Sequence, residues 1–93
     1  MAFSLNIAMT VYGVPAPAAY AEIQSMTTEV ASTMRVVFVV WFSLAAKEAQ
    51  AAPITYEQCV IPQAYFEQAG GLYPLAYQWA KANMPYFADA EDA

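Results

Sequence analysis

The chain has 93 residues and a formal charge of −5, with Arg35, Lys47 and Lys81 as its only cations. So few and scattered positive charges cannot track a phosphate backbone or a bed of anionic lipid headgroups, which excludes nucleic acid and a polybasic membrane anchor as partners. One cysteine, Cys59, and no histidine exclude an internal disulfide, the usual zinc, iron–sulfur and haem sites, and Ser–His or Cys–His catalysis.

Apolar residues make up 60% of the chain, above the roughly 45–50% of ordinary soluble domains, and a domain this small buries only about two thirds of its surface. The excess calls for a larger body to cover it.

Residues 1–19 carry no side-chain charge, and Gly13, Pro15 and Pro17 forbid a long helix there. Phe3, Leu5, Ile7, Met9 and Val11 alternate with Ser4, Asn6, Ala8 and Thr10. This period of two predicts an extended apolar arm lying along a partner.

Residues 20–47 read as one long helix, and the predicted fold class is all-α. Ile23, Met26, Val30, Val37, Trp41 and Leu44 recur at steps of three and four apart from a gap at Thr33/Met34, with Ser25, Thr27, Thr28, Glu29, Ser32 and Thr33 on the other face. From Val36 onward the polarity disappears except for Ser43. Twenty-eight helical residues would reach about 42 Å, enough to cross a bilayer core of about 30 Å. Only eleven uncharged residues separate Arg35 from Lys47, so the span is a weak one that needs Arg35 to snorkel. Arg35, the apolar run and Ala49-Gln50-Ala51 also have the order of an export signal, which makes the segment a signal-anchor candidate, with a buried core helix or a cleaved precursor signal as the alternatives. Val36, Val37, Phe38, Val39, Val40, Trp41, Phe42 and Leu44 are the predicted membrane or helix-packing residues.

Residues 48–93 are punctuated by Pro53, Pro62, Pro74 and Pro85, each suited to start or stop a short helix. Thr55-Tyr56-Glu57-Gln58 fits a capping box. Pro62 to Ala69, closed by Gly70-Gly71, and Pro74 to Met84 are predicted as helical turns, before the acidic tail of Asp89, Glu91 and Asp92. Tyr65, Phe66, Tyr73, Tyr77, Trp79, Tyr86 and Phe87 are the residue types that carry contact energy between proteins, and are the predicted partner interface.

No catalytic, cofactor-binding or metal-ligating residue is predicted. Cys59 reads as a small buried apolar residue, Glu57 and Glu67 as unpaired surface carboxylates, and Gly70-Gly71 as a helix stop. No cofactor is expected beyond peripheral lipid or pigment contact. The sequence therefore leads to a non-catalytic accessory subunit of a larger membrane complex, photosynthetic or respiratory. It would cross once and present its C-terminal half to a lumen, periplasm or intermembrane space. The alternatives are a self-assembling virion or filament subunit and a small soluble binding module.

Overall fold

The computed structural model describes residues 2–8, 13–29, 32–68 and 71–92. Met9, Thr10, Val11, Val30, Ala69 and Gly70, which entered the expectations above, lie outside them. The chain forms strands β1 (Phe3–Ile7), β2 (Ala16–Glu29) and β3 (Thr33–Trp41), a short helix α1 (Leu44–Glu48) and strand β4 (Thr55–Pro62). A 3-10 turn (Gln63–Glu67), helix α2 (Leu72–Asn83), a second 3-10 turn (Pro85–Phe87) and strand β5 (Glu91–Asp92) complete it. The strands make one antiparallel sheet in the order β4-β3-β2-β1-β5. The first four are sequential neighbours, and the segment carrying α2 then returns the chain to the far edge.

The all-α expectation is overturned, and with it the transmembrane helix. Residues 20–47 are most of a β-hairpin followed by α1. Among the described residues no helix is long and apolar enough to cross a membrane. The single-pass reading loses the element it rested on.

The helical spacing had a specific origin. In the β2–β3 ladder Ile23 lies opposite Phe38, but Met26 lies opposite Val36, because the register shifts between Ile23 and Ser25. One extra residue in a strand turns the normal step of two into a step of three. Ile23 and Met26 thus share a face of a bulged strand, and the pair mimics a helix. Val36, Val37, Val39 and Val40 are β-branched, and their restricted χ1 favours the pleated strand over the helix. Thr55-Tyr56-Glu57-Gln58 likewise begins β4 and caps nothing. The N-terminal arm does form a strand over Phe3–Ile7, but it pairs with β2 and β5 of its own chain.

Opposed residues share a sheet face. One face carries Phe3, Leu5, Ala19, Ala21, Val36, Phe38, Val40 and Ile61, all buried. Helix α2 covers it with Leu75, Ala76, Tyr77 and Ala80. Alanines at 76 and 80 let the helix approach closely. It ends at Met84 because Pro85 disfavours a helical residue before it, and Lys81 in its last turn suits the dipole.

The centre of the core is aromatic. Phe87 lies 4.8 Å from Phe38 and 5.1 Å from Phe3, centroid to centroid, and Tyr77 meets Phe3 edge-on at 5.0 Å. Phe3 and Phe38 stand on β1 and β3, two strand spacings apart, about 9.6 Å. Their rings nevertheless stack at 6.1 Å. Fully buried Ala21, on the strand between them and opposite Phe3, leaves the room in which they meet. Each buried ring contributes roughly 1.5–3 kcal/mol, with about 0.5–1.5 kcal/mol more for a well-oriented pair.

Candidate interaction surface

The other sheet face is left partly open. Tyr20 opposes Trp41, Glu22 opposes Val39, which opposes Tyr56, and Arg35 lies between Thr27 and Val60. This strip alternates with the core residues along β2, β3 and β4. Its exposure rises toward β4, where Tyr56 is 53% and Val60 48% exposed. The Arg35 guanidinium donates to Gln58 Oε1 at 3.2 Å, which ties β3 to β4 on this face.

Strand β4 lies at the sheet edge, and among the described residues no strand pairs with its outer side. Along this eight-residue edge the alternate residues whose backbone groups point away from β3 offer donors and acceptors to another chain. Its alternate residues Glu57 and Cys59 point to the α2 side, opposite Phe38 and Val36. Burial raises the Glu57 carboxyl above its ordinary range. Burial also pushes the Cys59 thiol up to about 11, so it stays protonated at neutral pH and is a poor nucleophile.

At the other end of the open face, Lys47 reaches back from α1. Its Nζ donates to Glu22 Oε2 at 2.7 Å and stands 5.1 Å from the Tyr20 ring and 5.7 Å from the Trp41 ring. The Glu22 hydrogen bond is the main cause that raises the Lys47 pKa.

Of the clefts elsewhere, two lie toward the α2 side, the second sharing Glu22 with this face. One of about 480 Å³ is lined by Leu5, Asn6, Ala8, Pro85, Tyr86, Asp89 and Ala90. Another of about 340 Å³ is lined by Glu22, Ile23, Tyr73 and Tyr77. There the Tyr77 hydroxyl accepts the Ile23 N–H at 2.8 Å, where β2 runs past the end of β1. Burial pushes the Tyr77 hydroxyl up to about 12. Burial, and then the Glu57 charge, raise Tyr86. Among the described residues no three Asp, Glu or Cys side chains gather as a metal site.

The predicted packing residues divide between the faces. Val36, Phe38 and Val40 are core, Val37, Val39 and Trp41 belong to the open face, and Phe42 and Leu44 are exposed at the start of α1. The predicted partner aromatics divide as well. Tyr77 and Phe87 are buried core rings and cannot reach a partner in this fold, whereas Tyr73 is exposed. Tyr65, Phe66, Trp79 and Tyr86 are half-buried and pack against the core from its margin. The open-face residues Tyr20 and Tyr56 escaped the sequence reading, because their phase is visible only once residues 20–29 and 55–62 are read as strands. A scan against protein-family models, a search of curated proteins and a search of solved structures each returned no match.

Proposed function

We propose that this chain is a non-catalytic assembly subunit that binds an extended segment of a larger protein along β4. The larger assembly is kept from the sequence reading; the helical span is not. The observation that carries the proposal is the eight-residue free edge of β4, flanked by the half-exposed side chains of Tyr56 and Val60. A strand added there would satisfy its backbone against β4, and its alternate side chains would extend the open face beside Tyr56 and Val60. The protonated thiol of Cys59, a poor nucleophile, supports a binding role over thiol chemistry.

The test is the variant Tyr56→Lys/Val60→Glu, whose new carboxylate faces Arg35 across the ladder. Both positions are exposed, so the change in stability should stay within about 0.5 kcal/mol each. The wild-type chain should recover a partner whose binding slows hydrogen exchange of the β4 amides, and the double variant should lose it. Equal recovery by both, or protection elsewhere, would refute β4 docking.

The second reading is self-assembly, favoured by the same antiparallel edge, which two copies could pair across a twofold axis. Light scattering distinguishes it: a mass twice 10.2 kDa, lost in the double variant, supports the homodimer.

A further inference from the structure

The Lys47 site has the construction of a receptor for an ammonium group. Tyr20 and Trp41 are cross-strand neighbours with ring centroids 6.3 Å apart and planes inclined at 42°, so they form an open V. The Glu22 carboxylate lies one strand position pair along the same face and accepts from the Tyr20 hydroxyl at 3.4 Å. Two π faces and one carboxylate around a single point are the combination that binds alkylated ammonium ions. The rings favour the cation, and the methyl groups bury against them. The point is filled by the chain itself, through Lys47 Nζ.

That occupant is on a weak tether. Helix α1 has five residues and none of them is buried. Leu44 is exposed, and so are the residues from Glu48 to Ala52 that follow. Ser43 Oγ caps the helix by accepting the Ala46 N–H at 3.1 Å, a local bond that moves with it. An element with so little burial opens at low free-energy cost. The two rings and Glu22 stand on the central strands of the sheet, and stay in place when α1 leaves.

We propose that Tyr20, Trp41 and Glu22 form a binding site for a methylated ammonium group, which Lys47 occupies as an internal competitor. An external ligand must displace Lys47, so its apparent affinity is reduced by the fraction of time that the cage is filled. A primary ammonium is strongly hydrated and gains most from the ion pair, while a quaternary one gains most from the rings. The external ligand therefore wins by its methyl groups.

The experiment follows the Trp41 indole N–H by NMR, assigned with Trp41→Phe, during titration with tetramethylammonium chloride against sodium chloride at matched ionic strength. Lys47→Ala should open the cage. Its Trp41 signal should shift saturably, with affinity at least about tenfold tighter than in the wild type, while the Trp79 signal stays still. Lys47→Arg, which keeps an internal cation at the rings and Glu22, should show no such gain. Choline and Nε-trimethyllysine amide should compete with the probe, and their relative affinities distinguish a choline-type from a lysine-type ligand. In the wild type, tetramethylammonium should move the Lys47 ε-methylene signals toward those of Lys81, a readout that does not depend on any variant folding. The proposal is overturned if Lys47→Ala binds no tighter than wild type. Ammonium chloride binding as well as tetramethylammonium, or unmoved Lys47 signals in the titrated wild type, would also overturn it.

Discussion

Tyr77→Phe tests how the bulged strand is held. Tyr77 is 5% exposed, and its hydroxyl accepts the Ile23 N–H at 2.8 Å. Among the described residues, pairing of β1 with β2 reaches no further than Ala21, and the Tyr77 hydroxyl supplies the Ile23 N–H with an acceptor beyond it. Removing one oxygen leaves the ring and its contacts with Phe3 and Phe38 in place, so the cavity contribution is small. What is lost is the hydrogen bond, and what remains is a half-buried N–H without an acceptor, together about 1–2 kcal/mol. For a domain of this size that lowers Tm by about 5–10 °C. The pH dependence gives an independent check. The folded hydroxyl titrates at about 12 against 10.0 for the free side chain, so between those values the folded state holds the proton and the unfolded state has lost it. Stability is whole below pH 10 and falls as pH rises toward 12, by about 2–3 kcal/mol in total. Phenylalanine has no such loss. Urea unfolding from pH 7 to 12 should therefore show the variant weaker at neutral pH, with the gap closing or reversing by pH 12. Equal stability at pH 7, or a parallel alkaline decline in both proteins, would refute this account of the contact.

Ala21→Leu should force apart the Phe3 and Phe38 rings that stack at 6.1 Å, and overpacking of this kind costs about 1–3 kcal/mol in denaturant unfolding. Cys59, with its thiol pushed up from 9.0 to about 11, should react with a maleimide roughly a hundredfold more slowly at pH 7.5 in the folded chain than in urea. Its stability contribution runs in the same direction as that of Tyr77, whole below pH 9 and lost by pH 11. Glu57→Gln should raise Tm at pH 7, because the raised carboxyl is more stable protonated in the fold. The gain should shrink as pH falls through the carboxylate range and the wild-type side chain takes up its own proton. The same variant should bind more tightly along β4, since an inward-pointing charge on an edge strand penalises the pairing that would bury it further.

What the sequence disclosed was local. The Phe3–Ile7 alternation is visible by eye, and so is the stop of a C-terminal helix before Pro85. The hairpin was hidden by two features acting together. The bulge beside Ile23 converts a strand repeat into the three-residue step of a helix, and β3 has apolar residues on both faces. Val36, Phe38 and Val40 face the core while Val37, Val39 and Trp41 face the other side, so the run shows no alternation. A strand apolar on both faces and a buried helix segment have the same periodicity, or none. The four valines were the arbiter that composition offered. The ammonium site was illegible for a related reason: Tyr20 is far in sequence from Trp41 and Lys47, and only the antiparallel register brings it opposite Trp41.

The double-sided character of β3 also bears on why a partner is expected. A sheet with a single covered face normally shows water a polar second face, and its strands alternate accordingly. Here the second face holds Val37, Val39 and Trp41 on β3 and Tyr56 and Val60 on the edge strand β4. At one end the chain covers the strip itself: Val39 is only 4% exposed, and Lys47 lies over the Tyr20 and Trp41 rings. Toward β4 the cover runs out and the apolar side chains do not. Apolar residues retained on the uncovered part of a strip, beside an edge with unsatisfied backbone, gain nothing from the monomer's own fold. Under the proposed function they would gain from a body that pairs with β4 and continues the sheet, and that is the side on which the chain is expected to be held.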